Sequence, residues 1–133
     1  MNEPVWINKS EALALHNRLL ALDGGAEGVR DEGLLESALA RPMHIQACSD
    51  SPSIVQMSAA YMAGIVRNHP FVDGNKRTGF VVGVLFLELN GYRFGATEEE
   101  ATQVVLNLAA GKLDDAALAH WLAANSAPQP QSA

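Results

Sequence analysis

The residues best suited to chemistry in this 133-residue chain lie in one short segment, NHPFVDGNKRTGF, at positions 68–80. It contains a histidine, His69, a carboxylate, Asp73, and two cations, Lys76 and Arg77. The apolar run that follows predicts a buried helix whose first turn carries both cations. Because the N-terminus of a helix is already positive, cations are unfavourable there unless an anion binds beside them.

A phosphate group is the anion that this helix start would suit. The backbone N–H groups at residues 74 to 77, the positive helix end and the two cationic side chains could hold it together. Gly74 would let the backbone approach such a ligand closely. The plainer alternative is a solvated pair of surface charges, which costs only about a few tenths of a kcal/mol. Other predicted helix starts carry acids instead: Asp31 and Glu32, Glu98 to Glu100, and Asp114 and Asp115.

The residues before the cations favour the phosphate interpretation. Asp73 alone would be an ordinary helix N-cap, but beside a phosphate its carboxylate is the ligand type that Mg²⁺ requires. Pro70 predicts an extended conformation for His69, whose neutral imidazole could take a proton from an incoming hydroxyl. Phe71 is expected to pack in the core. A base, a metal ligand and a phosphate cradle in one loop are typical of phosphoryl transfer.

Other candidate residues are weaker. The remaining histidines, His16, His44 and His120, have no polar groups converging on them in the sequence, so structural or surface roles are expected. Cys48 is the single cysteine and is interpreted as a small apolar filler, and no pattern of histidines or paired cysteines indicates zinc.

Composition limits the class of protein. Hydrophobic residues make up 48% of the chain and charged residues 18%, which is typical of one globular domain. The formal net charge of −6 argues against direct nucleic-acid binding and against an anionic membrane surface. The absence of cysteine pairs, of a signal-like start and of a long apolar run predicts a cytoplasmic protein.

Apolar spacing is helical almost throughout, which predicts an all-α fold, a compact bundle of about six helices. In the first helix, Ser10 is the expected N-cap, and Leu15, Leu19 and Leu22 the expected inner face. Pro42 is expected to end the second helix, which Asp31 would cap.

The later helices are predicted in the same way. The third should span about 52–67. The fourth, about 75–90, is apolar nearly all round, and its small Gly79 and Gly83 would allow close neighbours. We therefore expect it at the centre of the bundle with Phe80, Val84 and Leu87 buried. The fifth and sixth should begin at Thr97 and at the aspartates 114–115, with YRF before them as a short extended piece. We predict one domain over residues 1–125 and a disordered C-terminal tail over 126–133.

The segment HPFVDGNKR resembles the core motif of the Fic/Doc family, and it is most similar to the Doc (death-on-curing) branch. GVRDEGLLESALARP and HPFVDGNKRTGFVVGVLFLELNGYRF both resemble Doc segments, in the expected order. Fic adenylyltransferases carry H-P-F-x-x-G-N-G-R-x-x-R. This chain has Lys76 in place of the second glycine of that motif and Phe80 in place of the second arginine, as the Doc branch does.

The resemblance implies a toxin of a toxin–antitoxin system that blocks translation. Doc toxins are protein kinases that use ATP and Mg²⁺ to phosphorylate a threonine of elongation factor Tu. By similarity, His69 would be the general base and Asp73 the Mg²⁺ ligand. The phosphates would be held by Gly74, Asn75, Lys76 and Arg77.

Regulation is also implied by the resemblance. Doc toxins are inhibited by a separate antitoxin that inserts a helix beside the active site, whereas Fic proteins often carry an internal motif, S/T-x-x-x-E-G or E-N. The nearest match here, DGGAEG, has Asp23 where Ser or Thr is needed. Inhibition by an antitoxin is therefore expected. Two alternatives stay open: a Fic-type transferase of AMP to a protein hydroxyl, and a non-catalytic binding domain.

Overall fold

The computed structural model describes residues 3–130, which form six α-helices and one small antiparallel sheet. The predicted all-α bundle of about six helices is confirmed. The elements in chain order are α1 (Lys9–Asp23), α2 (Glu32–Cys48), α3 (Ile54–Asn68), α4 (Asn75–Leu89), β1 (Tyr92–Phe94), α5 (Glu98–Ala109), α6 (Asp115–Ala124) and β2 (Ser126–Pro128). None of the helices in the described range is long and apolar enough to cross a membrane.

The central helix is α3, so the prediction that α4 lies at the centre is wrong. Residues 57–66 of α3 are all buried, and the helix packs against α2, α4, α5 and α6. In α4, Leu87 is buried as predicted, but Phe80 and Val84 are only partly buried. The reason is that the Ala, Ser and Gly residues of α3 let neighbouring helices approach it on every side.

The two helices that flank the candidate site, α3 and α4, are packed very closely. A Cβ added at Gly79 would lie 2.8 Å from Cγ2 of Val66, and one at Gly83 would lie 2.8 Å from Cε of Met62. The two glycines of α4 therefore permit the contact, as the sequence predicts. The end of α3 and the start of α4 are consequently held at a fixed separation.

The inner face of helix α1 is only partly the one predicted. Leu15 packs against the core and Leu19 is partly buried, but the buried residues are Ala12 and His16, and Leu22 is 73% exposed. The N-cap lies two residues before the predicted cap at Ser10, since Asn8 and Glu11 form a capping box. Leucines occur on several sides of this helix, so their spacing alone does not identify the inner face.

Helix α2 begins at the predicted cap, Asp31, but continues through Pro42 to Cys48, so the predicted end at Pro42 is wrong. Proline in a helix interior removes one hydrogen bond to the residue four positions earlier. Here the ring of Pro42 is buried, as are Leu35 and Leu39 on the preceding turns. Packing of this face against α3 offsets the missing bond.

The C-terminal segment differs from the predicted disordered tail. Residues Ser126–Pro128 form β2, which pairs antiparallel with β1, the extended piece predicted at YRF. The pairing is extended by hydrogen bonds from the Gly95 N–H to the Asn125 carbonyl (2.8 Å) and from the Gln129 N–H to the Gly91 carbonyl (2.8 Å). The ordered domain therefore extends beyond the predicted boundary at residue 125. Residues 131–133 of the predicted tail lie outside the described residues.

Candidate active site

His69 lies at the C-terminal end of α3 in a left-handed conformation, with φ 54° and ψ 51°. It is the one non-glycine residue with positive φ among residues 3–130. The extended conformation predicted from Pro70 is therefore wrong. His69 caps α3, since its N–H donates to the Ile65 carbonyl at 3.2 Å. Such backbone conformations cost roughly 1–3 kcal/mol and occur preferentially at functional sites.

The loop between α1 and α2 holds this turn in place. The Arg30 guanidinium donates from Nε to the His69 carbonyl (2.7 Å) and from Nη2 to the Asn68 carbonyl (2.9 Å). The Arg30 backbone N–H donates to the Pro70 carbonyl at 2.7 Å, and the Val72 N–H donates to the Gly28 carbonyl at 3.0 Å. A cation at the negative C-terminus of α3 is favourable, so Arg30 stabilises the conformation that presents His69.

Asn75, the first residue of α4, fixes the other end of the loop. Its Oδ1 accepts from the Phe71 N–H at 2.9 Å, and its Nδ2 donates to the Phe71 carbonyl at 2.9 Å. The Asn75 side chain is buried, and Phe71 is fully buried in the core as predicted. The amide of Asn75 is thus occupied by the loop backbone. At the start of α4 it therefore places the loop, and its own backbone N–H is the group that it leaves available to a ligand.

Asn75 also determines which ring nitrogen of His69 carries the proton. Because Oδ1 accepts from Phe71, the second Nδ2 hydrogen of Asn75 faces Nδ1 of His69, 3.1 Å away. Nδ1 therefore accepts, and the neutral imidazole carries its proton on Nε2. For Nε2 to accept a proton, the His69 ring must leave the Asn75 amide and take the other neutral tautomer, in which Nδ1 carries the proton and Nε2 has given its proton up.

Asp73 precedes α4 but does not act as its N-cap, which is Gly74. Its Oδ1 accepts from the Gly74 N–H at 2.8 Å and its Oδ2 from the Ala26 N–H at 3.2 Å. The hydrogen bond from Ala26 and that from Gly74 lower the pKa of the Asp73 carboxyl below its ordinary value, and the charges of His16 and Lys76 act in the same direction. Asp73 is therefore ionised at neutral pH, with an exposed side chain facing the cavity.

The start of α4 offers the unpaired backbone donors that a phosphate group needs. The first intrahelical bond is from the Thr78 N–H to the Gly74 carbonyl (3.0 Å), so the N–H groups of residues 75–77 have no intrahelical partner. Lys76 and Arg77 are exposed beside them. Nη1 of Arg77 lies 3.1 Å from Oδ2 of Asp23, the last residue of α1. An anion that binds Arg77 must compete with this carboxylate.

The structure brings all the predicted site residues into one cavity of about 390 Å³. His69, Asp73 and the four residues Gly74 to Arg77 line it, together with Asp23, Gly24 and Gly25 from the end of α1. His69 and Lys76 also line a neighbouring cavity of about 490 Å³ on the side of α5. His69 thus lies between the cavity at the start of α4 and the second cavity on the side of α5.

A magnesium ion fits the groups present at this site. Among the described residues, no three His, Cys, Asp or Glu side chains are grouped to form a complete metal cage. Mg²⁺ does not need one, because it is commonly held by one or two carboxylates together with phosphate oxygens and water. The ionised Asp73 carboxylate, next to the helix start, provides a ligand of this kind.

Three residues of the site were not predicted from the sequence. Arg30 and Asp23 come from the loop before α2 and the end of α1, and His16 comes from the middle of α1. His16 is buried, and its Nε2 lies 2.7 Å from the Asp73 carbonyl, a contact that the sequence did not indicate. Asp23 was singled out only within an incomplete inhibitory motif. His44 and His120 are exposed and lie outside the site.

Comparison with known proteins agrees with the motif. The family model described as Fic/DOC family matches residues 6–87, more than half of the chain. A protein named Protein kinase doc from Escherichia phage P1 is 30% identical over 116 residues, covering 87% of this chain and 91% of the phage protein. Toxin Doc from Mycolicibacterium smegmatis is 42% identical over 74 residues, 55% of this chain and 57% of that protein. The chain therefore belongs to the Fic/DOC family, and its relatives support the Doc branch.

Proposed function

We propose that this protein is a Doc-type toxin, a cytoplasmic kinase that transfers the γ-phosphoryl group of ATP to a threonine of elongation factor Tu and so blocks translation. The observation that carries the proposal is the convergence of His69, Asp73 and the start of α4 on one cavity. The phage P1 relative, which is aligned over most of this chain, is named a protein kinase.

Each residue has a defined role in this reaction. His69 takes the proton of the acceptor hydroxyl as its oxygen bonds to the γ-phosphorus and ADP leaves. Asp73 would hold Mg²⁺, which neutralises phosphate charge when bound. The backbone N–H groups at the start of α4, with Lys76 and Arg77, bind the phosphate oxygens. Arg30 and Asn75 place the loop that carries these groups.

The position of Phe80 supports transfer of the γ-phosphoryl group over transfer of AMP. Phe80 is partly buried, and its ring meets the edge of Phe94 with centroids 5.8 Å apart. It lines a cavity between α4 and α5, which Lys76 and Arg77 also line, and its ring has no donor for a phosphate oxygen. Phosphate donors are thus concentrated in the first turn of α4, beside His69. The terminal phosphate is the one expected to lie there.

Inhibition by a separate antitoxin follows from the same proposal. The internal motif of Fic proteins is incomplete here, and the partner expected for a Doc-type toxin is a small antitoxin. One relative is named Toxin Doc. Co-expression with the protein from the adjacent reading frame should therefore relieve growth arrest.

The proposal is tested with ATP labelled at either end. Purified protein, Mg²⁺ and elongation factor Tu are incubated with γ-labelled or α-labelled ATP, with His69→Asn as the inactive control. We expect label on elongation factor Tu from the γ position alone. Transfer from the α position would support the adenylyltransferase, and no transfer to any protein of a cell extract would support a non-catalytic binding domain.

A further inference from the structure

His16 has a contact that the proposed reaction does not use. Its ring is 2% exposed and is stacked on Phe71, with centroids 3.8 Å apart and planes 9° from parallel. Nε2 lies 2.7 Å from the carbonyl oxygen of Asp73. Since a carbonyl can only accept, Nε2 carries a proton and donates it. A histidine in α1 is therefore bonded to the peptide that precedes the phosphate cradle.

This hydrogen bond fixes the direction of the Asp73–Gly74 peptide. In a trans peptide the C=O and N–H groups point in opposite directions. With the carbonyl turned inward toward α1, the Gly74 N–H must point outward, where it donates to Oδ1 of Asp73 at 2.8 Å. The orientation of this peptide thus fixes the N–H that holds the Asp73 carboxylate beside the start of α4, where the N–H groups of residues 75–77 are unpaired.

The backbone alone does not enforce this orientation. Gly74 has φ 79° and ψ 18°, and glycine adopts positive and negative φ about equally well. A flipped Asp73–Gly74 peptide is therefore sterically accessible. In that state the Gly74 N–H would point toward α1 and could no longer hold the Asp73 carboxylate. The donor on His16 favours the state seen here, because without it the inward carbonyl loses its partner.

We propose that His16 is a positioning residue that holds the Asp73–Gly74 peptide in the orientation required to bind phosphate and to place Asp73. Its effect on catalysis rests on the proposed kinase function, but its effect on phosphate binding does not. The alternative is that His16 only fills the core against Phe71. Two substitutions separate these roles, because one keeps the ring and the other keeps the donor.

The test compares His16→Phe with His16→Gln in the full-length chain. Phenylalanine keeps the stack on Phe71 and removes the donor, whereas glutamine loses the stack and keeps an N–H at similar reach. His44→Gln, on the exposed side of α2, is the matched control. The first readout is the set of amide NMR signals of residues 74–77. The second is the affinity for inorganic phosphate, measured by titrating phosphate and following those signals. The third is kcat and KM for ATP.

We expect His16→Phe to shift the Gly74 amide signal and to weaken phosphate binding by about tenfold, as loss of one hydrogen bond would. In His16→Phe, KM for ATP should rise in parallel with the loss of phosphate affinity. His16→Gln should keep most of the phosphate affinity, even if its thermal stability is lower. Equal losses in both variants would overturn the proposal in favour of the stack. An unchanged Gly74 signal and unchanged phosphate affinity in His16→Phe would also overturn it, as would failure of the unmodified protein to bind phosphate.

One measurement needs no variant. The imidazole nitrogen shifts of His16 in the unmodified protein should show a proton on Nε2, and an unprotonated Nε2 would overturn the proposal even if His16→Phe does not fold. If phosphate binds and depends on the donor at position 16 while no label is transferred, the kinase proposal fails and the positioning role of His16 stands.

Discussion

Five of the six described helices begin with a side chain that accepts a backbone hydrogen bond, and α4 does not. The five capping residues are Asn8, Asp31, Ser53, Thr97 and Asp114. The N-cap of α4 is Gly74, which has no side chain to accept such a bond, and the first turn carries Lys76 and Arg77. A side-chain cap contributes about 1 kcal/mol to stability, so five helix starts are stabilised by their own capping residues. The start of α4 instead keeps backbone N–H groups that are available to a ligand.

The comparison also explains the behaviour of Asp73. Placed one residue before Gly74, its carboxylate bonds the Gly74 and Ala26 N–H groups and does not reach over the helix start as the Asp114 carboxylate does. Gly25 permits this arrangement, because a Cβ there would lie 2.9 Å from Oδ2 of Asp73. The same residue type is a structural cap at α6 and a candidate ligand at α4.

The largest expected effect is at His69, which faces the uncapped helix start. We expect His69→Asn to lower the transfer rate by about a hundred- to ten-thousandfold, because it removes a general base. Asparagine tolerates the left-handed conformation, so thermal unfolding should change little. Transfer rate and unfolding midpoint are measured together. A variant that still arrests growth at matched expression would contradict the base role.

Asn75 and Asn90 bond backbone groups at opposite ends of α4, which gives a direct contrast. Asn75→Ala leaves the buried N–H and carbonyl of Phe71 without partners, so we expect a loss of about 2–4 kcal/mol in the free energy of unfolding and weaker ATP binding. Asn90→Ala releases Val5 and should cost about 1 kcal/mol. Denaturant titration measures both. If Asn90→Ala also weakened ATP binding, the expected difference between the two ends of α4 would be contradicted.

Substitutions of Asp73 and Asp114 distinguish the role of a metal ligand from that of a helix cap. We expect Asp73→Asn to raise the Mg²⁺ concentration for half-maximal transfer by roughly tenfold or more, since a neutral amide is a poor ligand for this ion. Asp114→Asn should leave both stability and transfer unchanged, because asparagine caps equally well. Full transfer by the Asp73 variant at low Mg²⁺ would return Asp73 to an ordinary loop residue.

The smallest effect is expected at Asp23, the carboxylate that competes for Arg77. Surface ion pairs contribute up to about 1 kcal/mol, so Asp23→Asn should strengthen ATP binding by no more than about fivefold. The control is Glu36→Gln, which weakens the exposed pair with Lys9 away from the site. Weaker ATP binding in the Asp23 variant would mean that Asp23 positions Arg77 for the ligand.

Sequence reasoning succeeded where the signal is local. The caps at Asp31 and Thr97 and the close contact allowed by Gly79 can be predicted from neighbouring residues, and the candidate site is largely one contiguous motif. It failed for α1, where leucines on several faces obscured the inward face formed by Ala12 and His16. Pro42 also shows that burial of a helix face can outweigh a local stop signal.

The site residues that could not be predicted from the sequence, Arg30 and His16, have another feature in common. Arg30 binds a carbonyl 39 residues away, and His16 binds one 57 residues away. Each contact is made to a backbone oxygen, and every residue type has one. No pattern of side chains in the sequence could therefore indicate the partner. The structure supplies these contacts because it places α1 and the following loop against the end of α3.

The glycine contacts between α3 and α4 set the distance between His69 and the N–H groups at the start of α4. His69 caps the end of α3 and Gly74 caps the start of α4, so a methyl group added at Gly79 must displace Val66 and change the separation of the two helix ends. Under the proposed function, the spacing of the reacting groups therefore depends on how closely the core helices pack. Small residues at such positions then serve the proposed reaction as well as the fold.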